Sequence, residues 1–154
     1  MERGLYFFEY VNRKASDIVA IVNSRALDVF QSATDSAVDK TAQFRSRLHV
    51  EFAGFEIGRE VEIELGEPQD RGYAVLIPIK WSAKNQAGLF PAMDADLEIA
   101  PLDDKLPMAQ ISVLGRYRPP LGLLGAVGDA MMMHRVAEAS VRHFVSDLAD
   151  RLRV

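Results

Sequence analysis

The sequence predicts an α+β domain in which a curved antiparallel sheet of six or seven strands wraps around a long C-terminal helix, with two short helices after the first strand. Three observations carry that expectation. Apolar residues recur at every second position in short runs between residues 48 and 117, the period of half-buried strands. From about Gly125 to Arg153 the spacing changes to three and four, the period of an amphipathic helix. Between the first strand and the rest, Ile18, Ile21, Val22, Ala26, Val29 and Phe30 also fall at helical spacing.

The elements follow in order. Leu5 to Val11 is rich in aromatics and reads as a strand. Ser16 or Asp17 offers an N-cap for the first helix, Asn23-Ser24 a break before the second, and the polar segment Ser32 to Thr41 an end to the region. Leu48, Val50 and Phe52 alternate with His49 and Glu51. Val61, Ile63 and Leu65 alternate with Glu60, Glu62 and Glu64, so one face is dry and the other wet. Residues 66–72 read as a connection. Tyr73, Val75, Ile77, Ile79 and Trp81 share one face of a long strand, and Pro78 inside it points to an edge position or a bulge. Met93, Ala95, Leu97 and Ile99 alternate with Asp94, Asp96 and Glu98. Ala109, Ile111, Val113, Gly115 and Tyr117 face one way along the last strand, and Pro119-Pro120 ends it. In the final helix Ala130, Met133, Ala137, Val141, Phe144, Leu148 and Leu152 form the apolar stripe, with Arg135, Glu138, Arg142, Asp147 and Asp150 largely off it. A helix of that length reaches across the whole sheet.

Composition bounds the function. The 154 residues fit one domain, residues 1–154. A chain of that length buries roughly 70% of its unfolded surface without help from metals or disulfides. Hydrophobic residues make up 49% and charged residues 26%, the balance of a globular chain. There is no cysteine, which rules out a disulfide scaffold, a thiolate zinc site and a cysteine nucleophile. The net charge of -4 and the scattered Arg and Lys argue against nucleic-acid binding. No signal peptide is read at the N-terminus. The longest apolar stretch, Leu121 to Met133, is interrupted by Asp129 and three glycines, so stable membrane insertion is not expected. A cytoplasmic location is the default expectation.

Two local features, together with the element order, carry a resemblance. One is Gly66-Glu67-Pro68 followed by Gly72-Tyr73. The other is Gly115-Arg116-Tyr117-Arg118-Pro119-Pro120-Leu121-Gly122 leading into the final helix. Strand, helix pair, antiparallel meander and long terminal helix in this order resemble the START-related helix-grip superfamily, with its pollen-allergen, polyketide-cyclase and lipid-transfer branches. The resemblance covers nearly the whole chain. The sequence shows six strands where that pattern usually has seven, and the seventh is expected within residues 42–58 or 82–100. A cystatin-like cone, which begins with its main helix and ends in strands, reverses the order seen here. The resemblance implies a cavity between sheet and terminal helix that takes lipids, sterols, polyketides or other apolar molecules.

The expected lining is Val61, Ile63, Leu65, Tyr73, Val75, Ile77, Met93, Leu97, Ile111, Val113 and Tyr117 from the strands, opposed by Met133, Ala137, Val141 and Phe144. The same residues also suit a filled core. Ala130, Ala137 and Gly115 leave room, and methionine adapts to varied shapes. Tyr10, Tyr73, Trp81 and Tyr117 bring polar handles that orient a ligand or bond to backbone. Arg116 and Arg118 are candidates for a cavity mouth that attracts an anionic head group, although alternation puts them opposite Tyr117 on a solvated face. Gly122, Gly125 and Gly128 suit a hinged lid or a close packing contact.

His134 and Glu138 stand at i,i+4, the spacing of a surface pair, and two ligands do not make a metal site. His49 and His143 stand apart from them. No Ser–His–Asp grouping, phosphate-cradling loop or zinc motif is present, and no cofactor is expected.

The reading is a carrier of an apolar small molecule, monomeric or homodimeric and more readily a binder than an enzyme. A cyclase- or hydratase-type enzyme would use the same cavity and needs an inward ionisable group. An interaction module would pair through a sheet edge or the Leu5–Val11 strand.

Overall fold

The computed structural model describes residues 3–47, 61–83, 92–103, 105–118 and 130–153. Strand β1 (Arg3–Val11) is followed by helix α1 (Ala15–Arg47), strands β2 (Val61–Leu65), β3 (Gln69–Asp70), β4 (Val75–Ala83), β5 (Ala92–Pro101) and β6 (Ala109–Arg118), and helix α2 (Ala130–Leu152). The strands form one antiparallel sheet in the order β1-β6-β5-β4-β2, with β3 also on β4. This is the helix-grip arrangement expected from the sequence. The strand expected over Leu48–Phe52 lies outside the described residues.

Helix α1 begins before both expected caps. The amides of Asp17 and Ile18 donate to the Lys14 carbonyl, so Asp17 sits in the first turn, where its carboxylate meets the positive end of the helix dipole. The expected break falls at Arg25, whose φ of -135° and ψ of 23° leave the helical region and join two helical segments across a kink. The second segment is not short. Residues 32–41, read as a polar end, continue the helix because Phe30, Ala33, Thr34 and Ala37 bury one face at helical spacing. Thr34 satisfies its hydroxyl by donating to the Phe30 carbonyl at 2.8 Å.

Pro78 is not on an edge. Strand β4 pairs with β5 on one side and with β2 and β3 on the other. The proline falls where β2 gives way to β3: Leu65 faces Ile79, Gln69 faces Leu76, and the amide of Gly66 donates to the Pro78 carbonyl at 2.7 Å. A strand residue points its N and O to the same neighbour, so the missing N–H meets the break in pairing and leaves no ladder bond unmade. Gly66 is required for this approach, since a Cβ there would lie 2.9 Å from Pro78 Cβ.

The expected connection at residues 66–72 in part forms β3, which turns into β4 around Gly72. Gly72 has φ of +83°, the left-handed region that glycine enters without steric cost. Its amide donates to Asp70 Oδ1, and the Arg71 amide donates to the Ala74 carbonyl. Tyr73 lies in this turn rather than on the strand.

Helix α2 runs along the inner face from one end of the sheet to the other. His134 near its start touches Tyr117, and Arg153 just past its end donates to the Tyr10 carbonyl. Its 23 residues reach roughly 34 Å, the length of a ten-residue strand. Arg13 Nε donates to the Leu152 carbonyl at 2.8 Å, placing a cation on the negative end of the helix. Lys40 of α1 pairs with Asp147 of α2 and links the two helices. No helix among the described residues is long and apolar enough to cross a membrane.

Candidate functional site between sheet and terminal helix

The inner face is built in rows across the sheet. Ile63, Trp81, Met93 and Tyr117 form the row at one end. Leu65, Ile79, Ala95, Gly115 and Leu5 form the next, then Ile77, Leu97, Val113 and Phe7. Period-2 alternation places all of them on one face. Ile63, Ile77, Met93, Leu97, Ile111, Val113 and Tyr117 are buried there, as are Ala137, Val141 and Phe144 of α2. Val75 is only partly buried. The side chains of Val61, Met133 and Arg118 lie outside the described residues, as do His49, Gly122, Gly125 and Gly128.

Two of the expected site residues are elsewhere. Tyr73 is 66% exposed, because the Gly72 turn takes it off the strand before the inward phase begins. Arg116 is exposed and stands opposite Asp94 on the outer face, between buried Gly115 and Tyr117, so it does not share the inner layer. Phe144 is a packing residue at the centre. Its ring meets Trp81 edge-on at 4.7 Å between centroids and lies nearly parallel to Phe30 of α1 at 6.3 Å. Sheet, α1 and α2 therefore close on one aromatic trio.

The row beside Tyr117 is the thin part of the layer. Gly115 has no side chain, Ala95 has one methyl, and Met93 Sδ covers the gap: a Cβ on Gly115 would lie 2.6 Å from that sulfur. Among the described residues a flexible thioether takes that space, with the Ala95 methyl beside it.

Polar groups enter the layer at this same end. The Tyr117 hydroxyl lies 2.8 Å from His134 Nδ1, and His134 Nε2 lies 3.0 Å from Glu138 Oε1. Tyr117 is fully buried, while the side chains of His134 and Glu138 are 28% and 37% exposed. The three groups thus run from the apolar interior to solvent. An ionised Glu138 can only accept, so Nε2 carries the proton that faces it; in the neutral imidazole Nδ1 is then bare and accepts from the Tyr117 O–H, whereas an imidazolium would donate from Nδ1 to the Tyr117 oxygen. Seventeen residues separate Tyr117 from His134, and nothing local in the chain joins them. The available signal was that His134 stands three residues before Ala137 on the inward stripe, while Tyr117 is the last inward residue before Pro119. Among the described residues no three metal-ligating side chains come together.

A second titratable cluster lies between α1 and α2. His143 has its pKa lowered from 6.5, mainly by burial, then by the positive charge of Lys40 and less by that of Arg142, while Asp147 opposes the shift. With the folded pKa below the unfolded one, the unfolded chain binds more protons beneath pH 6.5. The contribution of neutral His143 is therefore present above that pH and is lost as pH falls toward the lowered folded value. Thermal melts between pH 7.5 and 5 are expected to show a falling midpoint that is shallower in His143→Gln. Identical slopes in the two proteins would remove His143 from the account.

No protein-family model matches the chain, and no curated protein matches it. Solved structures similar to it include a norcoclaurine synthase point mutant of Thalictrum flavum in complex with a transition-state analogue. That pair is 10% identical with a TM-score of 0.46, covering 98% of this chain and 97% of that one. A conserved protein of Geobacillus kaustophilus is 9% identical with a TM-score of 0.47, covering 99% and 95%. The Zhui aromatase/cyclase of Streptomyces sp. R1128 is 14% identical with a TM-score of 0.44, covering 100% and 98%.

Proposed function

We propose that the chain binds an apolar small molecule, of lipid, sterol or polyketide size, between the inner face of the sheet and α2. One observation carries the reading: among the described residues the inner layer has a thin row, at Ala95 and Gly115, beside a buried hydroxyl wired to solvent. A layer whose only task is packing gains nothing from a buried polar group that must be kept partnered. A ligand site needs both features, apolar walls for affinity and a few placed polar groups for orientation. Met93 is the side chain that yields to a guest, and Ile63, Leu97, Val113 and Val141 supply apolar walls.

Native mass spectrometry of freshly purified protein, followed by denaturing extraction, tests the reading. The expected result is an adduct of a few hundred daltons, the size that fills a pocket of ~300–1,000 Å³. Trp81, the chain's only tryptophan, lies in the layer and reports occupancy by its fluorescence. A bare mass, together with no saturable Trp81 response to a fluorescent fatty acid, would count decisively against a carrier.

A second reading has its own observation. Tyr6, Phe8, Tyr10 and Leu114 lie 48–59% exposed on the outer face of β1 and β6. The three β1 rings stand 5.5 and 6.1 Å apart along the strand. Contiguous exposed apolar surface of this kind suits self-association.

A further inference from the structure

We infer that the outer face of the sheet, along β1, β6 and β5, docks a basic amphipathic helix of a partner protein. This face is separate from the layer between sheet and α2, so the inference stands or falls independently of the ligand reading above.

Two columns run side by side on this face. Strand β1 carries Tyr6, Phe8 and Tyr10, each about half exposed, and β6 adds exposed Leu114 opposite Tyr6. Strand β5, on the far side of β6, carries exposed Asp96 and half-buried Glu98. Tyr6, Leu114 and Asp96 stand in one row, and Phe8, Ser112 and Glu98 in the next. An apolar ladder thus lies beside an acidic one.

Neither of these acids has a cation directly opposite. Asp94, one row away, stands between Arg116 and Lys80, and Glu64 continues that row with alternating sign. Asp96 instead has Leu114 and Pro78 across from it, and Glu98 has Ser112 and Leu76. Cross-strand charge pairing is complete in one row and missing in the next two. Negative potential is therefore left beside exposed rings. The rings favour burial and the acids favour positive charge, so the fitting partner brings an apolar stripe with a basic flank. Lysine and arginine also gain from the faces of aromatic rings. A second copy of the chain would bring the same acids, and an anionic membrane the same sign of charge.

The dimensions select a helix. Ring centroids along β1 are 6.1 and 5.5 Å apart, close to the rise of about 5.4 Å per helical turn. Side chains on successive turns then meet successive rings. The two columns are two strand spacings apart, roughly 9–10 Å. A helix about 10–12 Å across, lying along β6, spans that distance. One flank rests on the rings and the other reaches Asp96 and Glu98, the groove-bound mode of an amphipathic helix. Gln110 Nε2 donates to the Tyr6 hydroxyl at 3.3 Å and ties that ring to β6. Part of the surface is thus ordered before a partner arrives, which lowers the entropy cost of docking.

The test uses the full chain and two labelled probes of about 18 residues, long enough to cross the face, read by fluorescence anisotropy. One is a helix of leucine, lysine and alanine, with leucines along one face and lysines on the adjoining flank. The other has glutamate for every lysine. Wild type is expected to bind the lysine peptide at least about tenfold more tightly than the glutamate peptide, with an affinity that falls as salt rises. Phe8→Thr, a strand-favouring change at an exposed position, is expected to weaken the lysine peptide about tenfold. Asp96→Asn with Glu98→Gln is expected to weaken it as much and to flatten the salt dependence. Asp28→Asn with Asp39→Asn makes the same charge change at exposed positions of α1 and is expected to leave affinity within about twofold. Equal binding of the two peptides, no binding of either, an unchanged affinity in Phe8→Thr, or equal losses in the two charge variants overturns the inference. So does a dimer in sedimentation that Phe8→Thr dissolves, which gives the face to a second copy. Binding to phosphatidylglycerol vesicles that Phe8→Thr abolishes gives it to a membrane and overturns it too. None of these results bears on the ligand reading.

Discussion

Phe144→Ala is expected to lower stability by about 3–5 kcal/mol, the cost of deleting a fully enclosed aromatic ring together with the void it leaves. The upper part of that range applies, because the ring does more than fill volume. It meets Trp81 edge-on and lies against Phe30, so its loss removes contacts with the sheet and with α1 at once. Phe144→Leu keeps most of the volume and is expected to cost about 1–1.5 kcal/mol. Urea unfolding followed through Trp81 measures both, since the chain's only tryptophan touches the substituted side chain. A loss near 1 kcal/mol for the alanine variant would mean that the layer collapses onto the gap or was never closed there. The variant also bears on function: an apolar ligand that enters the void restores stability by RT ln(1 + [L]/Kd), rising with the logarithm of its free concentration once the site is filled.

Lys40→Met is expected to cost about 1–3 kcal/mol by a different route. Lys40 Nζ pairs with Asp147 Oδ1 across α1 and α2, and Asp147 Oδ2 is buried with no hydrogen-bond partner among the described residues. Removing the lysine leaves a carboxylate enclosed without its cation. Breaking a fully buried pair costs more than this, but the Lys40 side chain is 43% exposed, so water screens part of the loss. Replacing both partners by apolar groups, Lys40→Met with Asp147→Leu, is expected to return most of the stability, because no charge then remains to be desolvated. The double-mutant cycle separates the pair from simple packing. If the double variant loses the sum of the two single losses, the ion pair contributes nothing of its own.

Much of the architecture was readable from local pattern. Period-2 alternation set the phase of β2, β5 and β6, and the step of three and four marked the buried stripe of α2, because each element repeats its own geometry along the chain. The departures share one cause, competition between elements. Residues 32–41 look polar, yet Ala33, Thr34 and Ala37 find α2 and the sheet to pack on, so the helix continues. Pro78 looks like an edge marker, but a break between two partner strands absorbs its missing donor. Tyr73 looks inward by phase until the Gly72 turn takes it out of phase. Asp147 lies off the sheet-facing stripe and is buried all the same, because α1 covers that flank and brings Lys40 to it.

By itself the sequence determined the class of fold, the element order and most of the apolar inner face, since all three follow from periodicity and turn chemistry between neighbours in the chain. Only the tertiary structure decided that Tyr117, His134 and Glu138 form one hydrogen-bonded chain and that Phe144 closes on Trp81 and Phe30. Those pairings join residues from different elements, and their geometry depends on where α2 lies over the sheet. No local spacing encodes that placement; it is the sum of packing along the whole interface.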